Sequence, residues 1–392
     1  MKRNKWIGVL LLGMMPWLNG CAGFWNATSS SSSTTTTTLT SGVFWVLNIE
    51  TAQIVAYYVD AGTLKQLAAY ATPATPIALA VSPTNGFLYL STINGIYLYT
   101  ISSSGTLTLG NSSSVISQDQ AYSMQVDSTG TWLVEAISGA ADLYALPISS
   151  STGLLTSKTE QYVALTGSSI QQLTISPDNT YVFVAMGTGG TAVVPFNSGN
   201  SNPLSAETTI GVKGSSGAAL SVAVDPSDRL LYIGETDATS SSNSGGLRVI
   251  EYSTLGNLFK SGGAATELSG SPYASGGLAP YSILPISTGS YVYVANRQTN
   301  SGSSGLIEGY SVASSSGSYA LTALGSSFSA GTHTVALAED SSDEFVFAVS
   351  AGGSYDLTGY VFDSTNAGYL DTVVQSTTGT DPVEASAIAA AH

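Results

Sequence analysis

Residues 223–235 read Ala-Val-Asp-Pro-Ser-Asp-Arg-Leu-Leu-Tyr-Ile-Gly-Glu, and this stretch decides the fold. Its two apolar ends predict two β-strands, and the polar residues between them favour a tight turn. Six further segments repeat the pattern wholly or in part, and they are residues 42–48, 80–91, 125–136, 174–185, 284–296 and 337–349. The chain therefore contains a strand–turn–strand unit in seven copies.

The spacing of the copies indicates the class of architecture. One apolar residue of the second strand serves as the anchor of each copy, and the anchors are Trp45, Tyr89, Val134, Phe183, Tyr232, Tyr293 and Phe347. Successive anchors are 44, 45, 49, 49, 61 and 54 residues apart. A repeat of this length that is built of strands is typical of one propeller blade. We therefore predict an all-β protein that folds as a seven-bladed β-propeller.

The two ends of the repeat region predict that the ring closes on itself. The first copy, from Gly42, begins at its second strand. The last segment, residues 381–389, has the proline and the apolar character of a first strand, with no partner after it. Together the two segments would complete one blade and remove the open sheet edges that promote aggregation. The propeller is predicted to span residues 42–392, and we expect it to be a monomer.

Composition and charge restrict the partners. The chain is 43% hydrophobic, which is ample for a large core, and only 9% of it is charged. Its net charge is −15, and without the basic Lys2, Arg3 and Lys5 it has seven basic against 25 acidic residues, a net charge of about −18. Such a surface repels nucleic acid and anionic lipid headgroups. Nucleic acid is therefore not expected as a partner.

The N-terminus has the features of an export signal. Three basic residues precede an apolar run, residues 6–18, and Leu18-Asn19-Gly20-Cys21 follows. Residues 1–20 thus read as a secretory signal, and its end resembles a bacterial lipobox, apart from Asn19. In this interpretation Cys21 is acylated and anchors the chain in a lipid bilayer, at the outer membrane where the cell has one. An uncleaved membrane anchor and an ordinary signal peptide remain alternatives.

The segment after the signal is predicted to be a tether. Residues 28–40 are almost entirely Ser and Thr, and they have no apolar periodicity with which the segment 21–41 could bury a core. Their expected role is to hold the propeller off the membrane. Cys21 is the only cysteine of the sequence, so its acylation would leave none for a disulfide.

Two motifs resemble a known family. Residues 271–276, Ser-Pro-Tyr-Ala-Ser-Gly, are followed by Pro280, and residues 293–297 read Tyr-Val-Ala-Asn-Arg. Both resemble recurrent motifs of the lactonase-type seven-bladed propellers, the family of 6-phosphogluconolactonase and the carboxymuconate lactonising enzyme. The resemblance covers residues 42–392. It implies a site at the channel mouth in which one His, two Arg and one Glu open a lactone.

Only part of that catalytic set is present. Arg297 and Glu235 match family positions, whereas Leu220 replaces the second arginine, six residues before Pro226, and residues 168–172 lack the histidine. The resemblance thus implies a reduced site with Arg297 as electrophile and Glu235 as base. Each residue also has a structural alternative, as a loop arginine paired with a carboxylate and as a solvated loop acid.

Other candidates are weaker. His333 directly precedes a predicted strand, where it could point into the channel or be structural, and His392 is the last residue given. Four acidic residues share one predicted turn, and they are Glu339, Asp340, Asp343 and Glu344. Calcium needs about six to eight oxygen ligands, so a polar turn without a metal is the favoured interpretation. There is no cysteine pair and no HExxH motif, and we expect neither metal nor cofactor.

Three hypotheses of function follow. The first is an extracytoplasmic binding or interaction module that holds a small molecule or a protein at the channel mouth. The second is an active hydrolase of an uncharged lactone. The third is an adhesive surface protein that uses its outer loops.

Overall fold

The computed structural model describes residues 42–60, 63–137, 139–156, 162–242, 244–302, 304–315, 317–353, 355–376 and 385–391. The predicted signal peptide 1–20, Cys21, the tether 21–41 and His392 lie outside the described residues, as do residues 381–384 of the predicted closing strand.

Seven antiparallel sheets form the blades of a β-propeller, as the repeat predicts. In the order from the innermost strand outward, blade 1 consists of β29 (Ala385–Ala390), β1 (Phe44–Asn48), β2 (Gln53–Asp60) and β3 (Thr63–Ala71). Blade 2 consists of β4 (Pro76–Val81), β5 (Phe87–Thr92), β6 (Gly95–Ile101) and β7 (Leu107–Leu109). Blade 3 consists of β8 (Ser123–Val126), β9 (Trp132–Ile137), β10 (Asp142–Pro147) and β11 (Tyr162–Ala164).

The remaining four blades have the same order. Blade 4 consists of β12 (Gln172–Ile175), β13 (Tyr181–Ala185), β14 (Thr191–Pro195) and β15 (Thr208–Ile210). Blade 5 consists of β16 (Ala219–Val224), β17 (Leu230–Glu235), β18 (Gly246–Glu251) and β19 (Tyr273–Ala274). Blade 6 consists of β20 (Pro280–Pro285), β21 (Tyr291–Asn296), β22 (Ser304–Ser315) and β23 (Ser318–Ala323), with β24 (Phe328–Thr332) paired to β22. Blade 7 consists of β25 (Thr334–Glu339), β26 (Phe345–Ser350), β27 (Leu357–Phe362) and β28 (Leu370–Ser376). Two 3-10 helices, Asn111–Ser113 and Tyr252–Phe259, lie in connections.

The seven anchor residues all lie in the second strand of their blade. Each is at most 1% exposed, and each belongs to the apolar cluster between its own blade and the next one. Full burial of a large apolar side chain stabilises a fold by about 1.5–3 kcal/mol. The repeated anchor is therefore the residue that joins each blade to its successor.

The ring closes within blade 1, which confirms the sequence prediction. Strand β29, from the C-terminal end of the chain, pairs antiparallel with β1, and Val46 lies opposite Ile388. One apolar cluster fills each of the seven interfaces between neighbouring blades, including the interface of blade 7 with blade 1. Where the chain enters blade 1, the backbone N–H of Gly42 donates to Ser341 Oγ in the turn after β25, at 2.9 Å.

Polar ends of some anchors reinforce the interfaces. The indole N–H of Trp45 donates to the carbonyl of Gly105 at 3.3 Å, and the hydroxyl of Tyr89 donates to that of Gly153 at 3.0 Å. Both glycines have positive φ, and a Cβ on Gly153 would lie 2.5 Å from the ring of Phe87. Glycine is needed at these turns because a side chain would clash with the preceding blade.

Candidate functional site at the channel mouth

The innermost strands of all seven blades surround a cavity of about 730 Å³. Most of the residues that line it lie at the beginning of these strands or directly before them. Ile49, Arg297 and Ala351, which also line it, directly follow the second strands β1, β21 and β26. The cavity therefore lies at the end of the central channel where the inner strands begin and the second strands end. We call this end the channel mouth.

A β-bulge places one residue of most inner strands at the mouth. In five blades the second residue of the inner strand has no partner in the register with the second strand, and these residues are Ile77, Leu220, Tyr281, Val335 and Ser386. All five line the cavity. A bulge re-aims a side chain, so it sets which residue each blade contributes to the cavity. Leu220, which replaces the family's second arginine, is one of them.

Arg297 is held against an aromatic ring at the mouth. Its backbone N–H donates to the carbonyl of Ala279 at 2.9 Å, which fixes the residue beside the start of β20. Its guanidinium carbon lies 5.1 Å from the centre of the Tyr281 ring. This distance is within the range of a cation–π interaction. Arg297 therefore lies at the channel mouth, and its role as an electrophile stays a prediction.

Tyr122 extends the same group of side chains from the other side of the channel. It directly precedes β8 in blade 3, lines the cavity and is 41% exposed. Partial burial and then the neighbouring Tyr281 side chain raise the pKa of Tyr122, whereas the Arg297 guanidinium lowers it. Arg297, Tyr281 and Tyr122 thus form one cluster that bridges blades 6 and 3. Neither tyrosine was a candidate in the sequence, because their proximity depends on ring closure.

Glu235 does not line the cavity. It is 0% exposed, and its carboxylate accepts hydrogen bonds from Arg248 Nη1 at 2.8 Å and from the backbone N–H of Lys213 at 2.9 Å. Burial raises the pKa of Glu235, and the Arg248 guanidinium opposes this rise. The structure thus places the two predicted catalytic residues in different surroundings, Arg297 at the mouth and Glu235 inside the wall.

The alternation of side chains along a strand explains the difference. Glu235 follows its anchor Tyr232 by three residues, whereas Arg297 follows Tyr293 by four. Successive side chains of a strand point to opposite faces. Four other blades have a buried polar residue at the Glu235 position, and these residues are Asn48, Thr92, Asn296 and Ser350. The contacts of Glu235 are those of a wall residue, and its role as a base stays a prediction.

The ion pair of Glu235 belongs to a larger network beside blades 4 and 5. Arg248 also donates to the carbonyl of Gly211 at 2.7 Å and lies 3.4 Å from Glu267. Lys213 Nζ donates to Glu267 at 3.0 Å. The network joins the loop after β15 to strands β17 and β18, so it ties two neighbouring blades together.

His333 lines the cavity, although the family motif does not place a histidine there. It directly precedes β25, its φ is 55°, and its carbonyl accepts a hydrogen bond from the N–H of Ala351 at 3.0 Å. A non-glycine residue with positive φ is uncommon and is often found at functional sites. The sequence suggested that a histidine directly before an inner strand could lie at the channel, and His333 has that position.

The acidic turn near residue 340 uses its carboxylates within the protein. Asp340 accepts hydrogen bonds from the backbone N–H groups of Glu344 and Phe345, at 3.2 and 2.8 Å. Glu339 and Asp343 both accept hydrogen bonds from Ser287. In the described part of the chain, no group of three or more potential ligands could hold a metal ion.

The fold and the cavity define the class of protein as a seven-bladed β-propeller with a ligand-sized site at one end of its channel. Residues 48–384 match the family described as lactonase, 7-bladed beta-propeller. The chain belongs to this family. No curated protein matches the chain.

Solved structures with the same fold have low sequence identity to this chain. A putative 6-phosphogluconolactonase from Bacteroides uniformis is 16% identical, with a TM-score of 0.65, over 89% of this chain and 99% of that one. The periplasmic gluconolactonase from Pseudomonas aeruginosa is 18% identical, with a TM-score of 0.65, over 88% and 98%. A functionally unknown protein from Desulfotomaculum acetoxidans is 12% identical, with a TM-score of 0.60, over 90% and 99%. At these sequence identities, the similarity to the solved structures shows a shared fold and no more.

None of the helices among the described residues has the length and apolar character needed to cross a bilayer.

Proposed function

We propose that this protein is a ligand-binding propeller that holds a small, oxygen-rich molecule at the channel mouth. The observation that carries the proposal is the cavity of about 730 Å³ into which the Arg297–Tyr281 pair projects. Its apolar side, formed by residues such as Ile77, Leu220 and Val335, would cover the carbon skeleton. A few polar groups on a largely apolar wall are the usual composition of a small-molecule site.

The charge distribution supports a ligand with acceptor oxygens. The chain has 25 acidic residues, yet no Asp or Glu is among the described residues that line the cavity. The ionisable groups there include Arg297 and His333. Because two similar structures belong to proteins named gluconolactonases, an uncharged sugar lactone is the first probe.

Replacing Arg297 by alanine is expected to weaken the binding of glucono-δ-lactone at least about tenfold, since hydrogen bonds to a charged group contribute about 1.5–3 kcal/mol. Isothermal titration calorimetry measures the change. Lys260→Ala, a charge removal at an exposed residue away from the cavity, is the matched control and should bind as the wild type does. Equal binding by Arg297→Ala and the wild type would contradict the proposal.

A second candidate function is hydrolysis of an uncharged lactone, and the position of His333 at the same cavity favours it. In this reaction His333 takes a proton from water, the resulting hydroxide attacks the lactone carbonyl, and Arg297 stabilises the oxyanion. The acyl C–O bond to the ring oxygen then breaks and His333 gives the proton to that oxygen, which yields the hydroxy acid. The same protein samples decide between the two functions. Proton release that is lost in both Arg297→Ala and His333→Ala supports the hydrolase, whereas binding without turnover supports the binding module.

We also propose that the chain is exported and anchored through acylated Cys21, as the basic residues, the apolar run and Leu18-Asn19-Gly20-Cys21 suggest. Cys21→Ser is expected to move the protein from the membrane fraction of expressing cells, because the acyl chains can no longer be attached. Fractionation and detection with an antibody measure this. Ser29→Ala, in the predicted tether, is the control that should leave the distribution unchanged. A Cys21→Ser protein that stays with the membrane would exclude the lipid anchor.

A further inference from the structure

Four side chains of the inner strands share one hydrogen-bonding arrangement. Each accepts a backbone N–H from the inner strand of the next blade. The four bonds run from Leu173 N to Ser123 Oγ at 3.0 Å, from Ile175 N to Gln125 Oε1 at 2.9 Å, from Val222 N to Gln172 Oε1 at 3.0 Å, and from Leu337 N to Ser282 Oγ at 3.1 Å. All four side chains also line the cavity at the channel mouth. We call these four residues the donor ring.

The bonds determine what the donor ring presents to a ligand. Because a backbone N–H needs an acceptor, the amide oxygens of Gln125 and Gln172 must face the neighbouring strands. The Nε2 hydrogens are then left for the cavity, and within the described residues neither Nε2 donates to a protein group. Ser123 and Ser282 likewise use an oxygen lone pair for the next blade and keep an O–H to donate. The ring thus presents amide and hydroxyl donors to the cavity, while each of its oxygens has one lone pair committed to the next blade.

The other polar groups of the cavity strengthen this bias. The guanidinium of Arg297 has donors alone, and no carboxylate lines the cavity within the described part of the chain. A ligand that brings acceptors can bond to these donors and to the guanidinium. A carboxylate brings acceptors alone, with about four lone-pair sites, and so fits a surface of donors. Burial at the mouth makes each such charge-assisted bond stronger than in water.

We infer that the channel selects a small organic carboxylate, whose carboxylate group lies against the donor ring, with Gln125 and Gln172 as its specificity-determining residues. This inference rests on the proposed function and names the ligand class of the same site. It narrows the ligand to an anion, although the protein as a whole is acidic. The apolar part of the cavity is left for the rest of the molecule.

The experiment uses matched probes on the full-length protein. Benzoate is compared with benzyl alcohol, and gluconate with sorbitol, so that each pair differs at one carbon. Calorimetry on the wild type is expected to show that a carboxylate binds at least about tenfold more tightly than its alcohol, because the charged acceptor forms stronger hydrogen bonds.

Gln172→Glu is the decisive variant. Its carboxylate can still accept the N–H of Val222, so the interface of blades 4 and 5 is kept, but the Nε2 donor is replaced by a negatively charged oxygen. The affinity for the carboxylate is expected to fall at least about tenfold, while the affinity for the alcohol changes little. Gln66→Glu, on the exposed outer strand of blade 1, makes the same change in charge and should bind as the wild type does. Thermal unfolding of both variants verifies that they are folded.

The outcomes separate this inference from the proposed function. Equal binding of acid and alcohol, or a Gln172→Glu protein that binds carboxylates as tightly as the wild type, would overturn the selection of a carboxylate and leave a neutral-ligand site in place. If neither the carboxylates, the alcohols nor glucono-δ-lactone bind to the wild type, the proposed function fails together with the inference.

Discussion

Replacing Arg248 by methionine is expected to lower the free energy of unfolding by about 3–5 kcal/mol at neutral pH, because it leaves the carboxylate of Glu235 buried without its charged partner. The two side chains are 9% and 0% exposed, and Arg248 also bonds the carbonyl of Gly211. Methionine keeps the volume of the side chain, so the loss reports the missing charge and not a cavity. Equilibrium unfolding in urea measures it.

The pH dependence gives this prediction a second readout. Burial raises the pKa of Glu235 in the folded protein, and Arg248 is the main group that lowers it. Without Arg248 the folded-state pKa rises further, while the unfolded-state pKa is unchanged. An acid whose pKa is raised by folding destabilises the fold as pH rises above its unfolded-state pKa. The difference in free energy of unfolding between the wild type and Arg248→Met should therefore be smaller at about pH 5 than at about pH 8.

Two further variants test the cause. Glu235→Gln in the Arg248→Met background removes the buried charge. The double variant should recover part of the lost stability, and its difference in free energy of unfolding from the wild type should no longer depend on pH. Lys65→Met breaks the exposed pair with Asp60 and should change stability little, since surface ion pairs are screened by water. An Arg248→Met protein as stable as the wild type at both pH values would show that the pair does not stabilise the fold.

Deleting residues 385–392 is expected to abolish cooperative folding. These residues include β29, the inner strand of blade 1, and Ala385 is fully buried. The deletion leaves β1 with an unpaired edge and exposes apolar surface of the clusters on both sides of blade 1. Such an edge is a template for aggregation. Circular dichroism on heating, together with size-exclusion chromatography, measures the loss.

The deletion also tests whether closure depends on this pairing. A synthetic peptide of residues 385–392, added to the truncated chain during refolding, is expected to restore part of the cooperative transition. Deleting residues 1–41, which precede the first strand, is the control and should leave the transition of the propeller in place. A truncated chain that unfolds as the wild type does would mean that the ring is stable without its closing strand.

The repeat made most of the fold predictable. Every anchor chosen from the sequence lies in a second strand. Each interface between blades needs an apolar side chain at this position, so the apolar residue recurs once in every repeat. The closing strand was predictable because blade 1 lacks an inner strand at its start. The extra strand β24 in blade 6 was not predictable. It lies between Tyr293 and Phe347, and their spacing of 54 residues is shorter than the 61 residues of the preceding interval.

The site was predictable only in part. Arg297 was a candidate because Tyr-Val-Ala-Asn-Arg resembles a family motif that has an arginine directly after an anchor strand. Glu235, the other candidate, lies one residue nearer to its anchor, and the alternation of side chains directs it into the wall; whether the two residues face one another was left open by the sequence. Tyr122 and Tyr281 belong to blades on opposite sides of the ring, so no local pattern pairs them. The donor ring depends on hydrogen bonds between blades, which sequence spacing does not reveal.

The course of β1 determines on which face the chain enters the propeller. Like every second strand, it ends at the channel mouth, where Ile49 lines the cavity, so its beginning lies on the opposite face. There Gly42 is bonded to Ser341, in the turn that ends an inner strand. An attachment made through the residues before Gly42 thus joins the disc at its back. The point at which the chain enters the propeller therefore leaves the channel mouth unobstructed.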